Sequence, residues 1–240
     1  MRQLQRVLSM VYPSQCILCE ARVDEHGGLC GDCWRSTPFL SGLVCHSCGV
    51  SLPGAETVQV FCDDCLVTPR PWTAGRAALA YRDAGRRIVL GLKHADRLDL
   101  VPICAAWMAK AGRDILQDDI VFVPVPAHWS RLLKRRYNQS AELCRALARE
   151  TGLRTIPDAL QRTRRTAVQD GMTVDQRHAN LRNAISVNPK TERNLQGRSI
   201  CLVDDVMTSG ATLSTAAGVL HDAGASEVCV LVLARVVKAP

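Results

Sequence analysis

The clearest apolar patterning lies toward the C-terminal end of the chain. The runs 200–203 (Ile-Cys-Leu-Val) and 228–233 (Val-Cys-Val-Leu-Val-Leu) are short, unbroken and rich in β-branched residues, so they predict buried strands. Between them Leu213, Ala216, Ala217 and Leu220 recur at helical spacing, and Gly224 fits the position just past a helix end. Strand, helix and strand in that order make a βαβ unit of a parallel sheet. Upstream, 77–81 predicts a strand and 86–92 a helix running into Lys93-His94. A longer apolar helix around Trp107 is expected over 98–116. A strand at 120–123 leads into Pro124-Val125-Pro126, and a helix follows over 141–149 with Leu143, Ala146 and Leu147 inward. Leu4, Val7, Leu8 and Val11 predict a short amphipathic helix over 1–12, packed on the rest of the protein. The stretch 169–183 is polar and weakly periodic, as expected of a loop or lid over a site. The fold class is α/β.

Residues 16–65 break this pattern. They hold few large apolar residues but four C-x-x-C pairs: Cys16 and Cys19, Cys30 and Cys33, Cys45 and Cys48, Cys62 and Cys65. A C-x-x-C turn puts two thiolates on one side of a tight loop, and a second such turn completes a tetrahedral site. Gly27, Gly28, Gly49 and Gly54 supply turns between them. Eight thiolates predict about two structural zinc ions in a double ribbon. Sequential and cross-braced pairing of the turns both fit the spacing; His26 and His46 are surplus. Thr68-Pro69-Arg70-Pro71 reads as the junction between a ribbon module, 1–68, and an α/β domain, 72–240.

The chain of 240 residues is 47% hydrophobic and 22% charged, ordinary for a folded domain with a small added module. It has no secretory signal pattern and no apolar run long enough to span a bilayer. With 12 cysteines used mostly as ligand pairs, a reducing cytoplasm is the expected compartment. Arg2 and Arg6 beside the first apolar stripe allow a peripheral contact with the inner face of the membrane. The net charge of +7 is unevenly spread: 121–200 carries 15 Lys and Arg against 6 Asp and Glu. Four of these cations, Arg131, Lys134, Arg135 and Arg136, fall within six residues, at a predicted helix start where they oppose the dipole unless an anion binds.

The chemistry concentrates in 199–213, S-I-C-L-V-D-D-V-M-T-S-G-A-T-L. The strand delivers two adjacent carboxylates, Asp204 and Asp205, and then a loop of small and hydroxyl residues that opens the next helix. Amides of such a loop and the helix N-terminus attract an anion, and Gly210 lets the backbone come close. Two acids beside a phosphate cradle make sense for a ligand with both a phosphate and vicinal hydroxyls, or for a metal.

V-D-D-V-M-T-S-G-A-T-L resembles the phosphoribosyl pyrophosphate (PRPP) motif of type I phosphoribosyltransferases. The resemblance implies that Asp204 and Asp205 hold the ribose hydroxyls as the catalytic acids. It implies that Thr208, Ser209, Gly210, Ala211 and Thr212 hold the 5′-phosphate, with Mg2+ arriving with PRPP. Met207 is bulkier than the family's usual residue. Over nearly the whole chain the sequence is similar to the ComF family of competence-associated proteins: the cysteine pairs, L-G-L-K-H, V-P-V-P, R-R-Y-N-Q, the Gln169, Arg177 and Asn180 spacing, and the double-Asp loop. His94 stands where that family has Tyr, and Arg136 where it has Gly. The implied fold is a type I phosphoribosyltransferase-like parallel sheet flanked by helices, preceded by the double ribbon. Lys93, Arg135 and Arg136 are the implied pyrophosphate or hood contacts.

Two functions follow from this resemblance. One is binding of PRPP or a related ribose 5-phosphate ligand in support of DNA uptake and natural transformation, with phosphoribosyl transfer as its catalytic form. The alternative is a non-catalytic, zinc-containing accessory protein that binds single-stranded DNA and meets competence machinery proteins. For the second, Trp129 and Tyr137 beside the cations would stack on bases. No segment that would recognise an acceptor base is legible.

Overall fold

The computed structural model describes residues 13–24, 27–55, 59–94, 97–127, 137–163 and 184–237. The expected helix over 1–12, the basic cluster with Trp129, His26 and the segment 169–183 lie outside the described residues.

Five parallel strands make the sheet: β1 (Gly75–Ala80), β2 (Val121–Pro124), β3 (Arg154–Thr155), β6 (Ser199–Met207) and β7 (Glu227–Arg235). Their order is β1-β7-β6-β2-β3, and β4 (Leu160–Arg162) pairs antiparallel with β5 (Ile185–Val187) apart from it. In the ribbon region two short helices each start inside a C-x-x-C pair, α1 (Gly31–Ser36) after Cys30 and α2 (Asp63–Val67) after Cys62. Beyond it come α3 (Asp83–His94), α4 (Val101–Ala111), α5 (Gln139–Thr151) and α6 (Ala211–Asp222).

A strand buried on both sides sends alternate side chains to opposite faces. On β7, Cys229, Leu231 and Leu233 join the cluster with Ile88, Leu92, Met108, Leu143 and Leu147 of α3, α4 and α5. Val228, Val230 and Val232 face the other way, onto Leu213, Ala216, Ala217 and Leu220 of α6. The result is three layers: helices, sheet, helix.

Two expectations shift. The single helix over 98–116 is a 3-10 turn (Leu98–Leu100) followed by α4, because Pro102 belongs in a first helical turn and the helix stops at Gly112. The strand expected at 200–203 runs nine residues, since pairing with β7 continues through Asp204↔Val232, Val206↔Ala234 and Met207↔Arg235. Both acids therefore sit on rigid sheet backbone. Gly224 has φ +87, the left-handed residue past α6 that the sequence predicts.

The ribbon region lies against the free edge of β1. Leu40 N–H donates to Ala78 O at 3.0 Å and Ala80 N–H donates to Pro38 O at 2.8 Å, so a short segment covers that edge. Cys45, Cys48 and Cys65 share a buried cluster with Trp72, Ala77 and the α6 face. A Cβ on Gly49 would stand 2.7 Å from Ala77 N, and one on Gly75 would stand 2.3 Å from Ser47 O. Glycine on each side is what lets the second ribbon and β1 approach backbone to backbone.

Candidate phosphate-binding loop and its acidic pair

Eight thiols form two clusters, Cys16, Cys19, Cys30 and Cys33, then Cys45, Cys48, Cys62 and Cys65, each with its sulfurs within 4.8 Å of one another. The turns pair sequentially, which settles the choice the spacing left open. Four sulfurs at zinc-bonding distance in a tetrahedron lie about 3.8 Å apart. Cys19 and Cys30 Sγ are 3.6 Å apart, and Cys48 and Cys62 Sγ 3.7 Å apart. Backbone amides add support: Cys33 N–H donates to Cys30 Sγ at 3.5 Å and Cys62 N–H to Cys45 Sγ at 3.3 Å. These are two zinc sites of four cysteines each, and their closed donor sets mark them as structural.

The acidic pair stands near the carboxyl end of β6, the edge where open parallel sheets take ligands. Asp205 is 9% exposed, and Lys93 Nζ from the end of α3 lies 3.0 Å from its Oδ1. Asp204 Oδ1 accepts from Ser140 Oγ at 2.8 Å and from Asp205 N–H at 2.9 Å. Ser140 is placed by Asn138, whose side chain caps α5 by accepting from Ser140 N–H at 3.1 Å. Burial, followed by the adjacent Asp205 charge, pushes the Asp204 carboxyl up to about 7, against the opposing effects of Ser140, the Asp205 amide and Lys93. One acid is thus paired with a cation, and the other is poised to hold or release a proton near neutrality.

Beyond Met207 the chain turns through Thr208, Ser209 and Gly210 into α6, which starts at Ala211 and Thr212. Gly210 has φ +82, and a Cβ there would stand 3.2 Å from both Arg70 Nη1 and Trp72 Cη2. Two guanidiniums hold the loop's carbonyls. Arg235, 6% exposed, donates from Nη1 to Thr208 O at 2.6 Å and Met207 O at 3.3 Å. Arg70 donates from Nη1 to Ser209 O at 2.7 Å. In a trans peptide the N–H points opposite to the C=O. With no cis bond in the described chain, the Ser209 and Gly210 amides are therefore turned away from the two arginines. Such a loop at the start of a 12-residue helix can take an anion on its amide side.

The structure brings together Asp204, Asp205, Thr208, Ser209, Gly210, Ala211, Thr212 and Lys93; Arg135 and Arg136 lie outside the described residues. Sequence reasoning missed Ser140, Arg70 and Arg235.

Residues 7–66 match the double zinc ribbon domain family. The chain is 31% identical to DNA utilization protein YhgH of Escherichia coli (strain K12), over 94% of this chain and 99% of that protein. It is 27% identical to competence protein F of Haemophilus influenzae over 92% of this chain and 96% of that one. Among solved structures, an adenine phosphoribosyltransferase from Thermoanaerobacter pseudethanolicus matches with a TM-score of 0.37 and 12% identity, over 59% of this chain and 83% of that one.

Proposed function

The chain belongs to the ComF family, and from that premise we propose that it binds PRPP or a related ribose 5-phosphate ligand in support of DNA uptake. Asp204 and Asp205 accept hydrogen bonds from the ribose hydroxyls, and the 208–212 loop receives the 5′-phosphate. Ser140 keeps one Asp204 oxygen occupied, which orients the other toward the ligand. Lys93 offsets the charge of Asp205 and offers a cation to a pyrophosphate group, together with Arg135 and Arg136.

The observation that carries this reading is the two arginines bonded to the carbonyls of Thr208 and Ser209. They turn successive amides the other way and place positive charge behind the loop, beside two acids suited to hydroxyl groups. Asp204 and Asp205 would hold magnesium arriving with PRPP, and the ion would screen the ligand's charge. In the catalytic form of the proposal, the acids hold the ribose while pyrophosphate leaves from C1 toward the cations and an acceptor nucleophile bonds to C1.

The test is thermal. PRPP with magnesium at about 100 times its Kd should raise the melting temperature by on the order of 5 °C. Asp204→Asn combined with Asp205→Asn should abolish the rise while the protein keeps its zinc. An equal rise in the double variant would remove these acids from the ligand.

A further inference from the structure

The loop that receives the phosphate in the reading above is not held by its own domain alone. Arg70, which donates to Ser209 O, comes from the Pro-rich junction 139 residues earlier in the chain. Its guanidinium lies 5.8 Å from the ring of Trp72, and the buried Arg70 Nε has no hydrogen-bond partner among the described residues. Trp72 is 5% exposed and touches the loop position Gly210, where a Cβ would meet its ring at 3.2 Å. From its other end, Trp72 Nε1 donates to Ser47 O at 2.6 Å. Ser47 lies between Cys45 and Cys48, inside the first turn of the second zinc site. The neighbouring carbonyl, His46 O, accepts from Gly75 N–H at 2.9 Å and from Arg76 Nη1 at 3.0 Å, so this turn is fixed to β1 as well.

We propose that Arg70 and Trp72 are positioning residues that couple the second zinc site to the phosphate loop. The physical chain is short. Zinc fixes the Cys45–Cys48 turn, and the turn's Ser47 carbonyl fixes the Trp72 indole. The indole face supports the Arg70 guanidinium, which holds the Ser209 carbonyl and so keeps the Gly210 amide turned to the anion side. A Cβ at Gly210 would press on the indole at 3.2 Å, so glycine gives the backbone its close seat there. Loss of zinc from this site frees the turn and lets the Ser209 carbonyl swing, and anion affinity falls. Coupling between two binding equilibria is reciprocal, so a bound anion must also tighten the binding of this zinc. The first zinc site has no such path to the loop among the hydrogen bonds of the described residues, and its zinc is expected to be indifferent to the ligand.

This inference rests on the phosphate reading of the 208–212 loop, and the experiment separates the two. Ribose 5-phosphate is titrated calorimetrically into the full chain as wild type, Arg70→Ala, Arg70→Lys and Trp72→Phe, with zinc content measured for each. The equilibrium partition of zinc between protein and a chelator is measured with and without ribose 5-phosphate. Wild type should bind. Arg70→Ala and Trp72→Phe should bind about tenfold more weakly while keeping two zinc ions, and Arg70→Lys, which retains a cationic donor, should recover part of the loss. In wild type the ligand should raise the affinity for one zinc of the two, about tenfold, and in Arg70→Ala it should raise neither. Equal affinity for ribose 5-phosphate in wild type and Arg70→Ala, or a zinc partition in wild type that ignores the ligand, overturns the coupling and leaves the phosphate reading standing. A wild type that binds no ribose 5-phosphate overturns the phosphate reading itself. Where Arg70→Ala fails to fold, the chelator comparison on wild type alone decides.

Discussion

Lys93 Nζ and Asp205 Oδ1 stand 3.0 Å apart, with their side chains only 22% and 12% exposed. The pair closes the acidic end of β6 against α3. Removing one partner of a largely buried ion pair leaves the other charge poorly solvated, which costs more than the pair's net contribution. Lys93→Met should therefore destabilise the protein by about 2–3 kcal/mol. At this chain length that lowers the melting temperature by roughly 5–10 °C. Lys93→Arg should recover most of it. A melting temperature unchanged in Lys93→Met would mean that the pair carries no stability.

Asp204 sets a pH dependence of the opposite sign to most carboxylates. Its folded-state pKa, about 7, lies above its ordinary value because burial and Asp205 disfavour its charge. The native state thus holds a proton that the unfolded chain releases. The resulting stability is complete below the ordinary carboxyl range and is lost as pH rises through about 7. The melting temperature of ligand-free protein should fall between pH 5 and pH 8 (about three units around the titration), and Asp204→Asn should flatten that fall. Parallel curves for the two proteins would show that Asp204 is not the group responsible.

The zinc sites predict a stoichiometry. Purified protein should carry about two zinc ions per chain. Structural zinc binding is folding free energy, so Cys45→Ser should lose one ion and with it the buried cluster that joins Cys45, Cys48 and Cys65 to Trp72 and Ala77. Metal analysis of reductively purified, folded protein decides this, and an ion count near zero is the contrary result.

The basic cluster separates the two functional readings. If Arg135 and Arg136 serve a nucleic-acid backbone as well as pyrophosphate, Arg135→Ala with Arg136→Ala should weaken binding of single-stranded DNA. It should also reduce the log–log salt slope by roughly 0.7 per lost phosphate contact. PRPP should compete with the DNA in wild type. An unchanged affinity and slope in the variant would take the DNA role away from this cluster.

Much of this was legible because it is local. Unbroken apolar runs place β6 and β7, helical spacing places α6, and the order of acids, small residues and helix start marks the site before any contact is known. Pairing of the cysteine turns was not legible, since spacing admits two arrangements and only the sulfur positions choose one. Nor was Arg70. Between two prolines it reads as linker, yet its guanidinium reaches Ser209 across the fold. Arg235 ends a strand as an ordinary basic residue would, and its burial under the loop depends on the β6–β7 register. Ser140 became visible only when the N-terminus of α5 was brought beside β6. In each case the missing information is a long-range partner, which no local pattern encodes.

The most direct measurement is a crystal structure of the full chain with ribose 5-phosphate bound. The phosphate should lie within hydrogen-bond distance of the Ser209 and Gly210 amides, the ribose hydroxyls should lie on Asp204 and Asp205, and Arg70 and Arg235 should remain on the loop's carbonyls. A phosphate bound elsewhere, or a loop whose carbonyls have left the two arginines to admit it, would contradict the account.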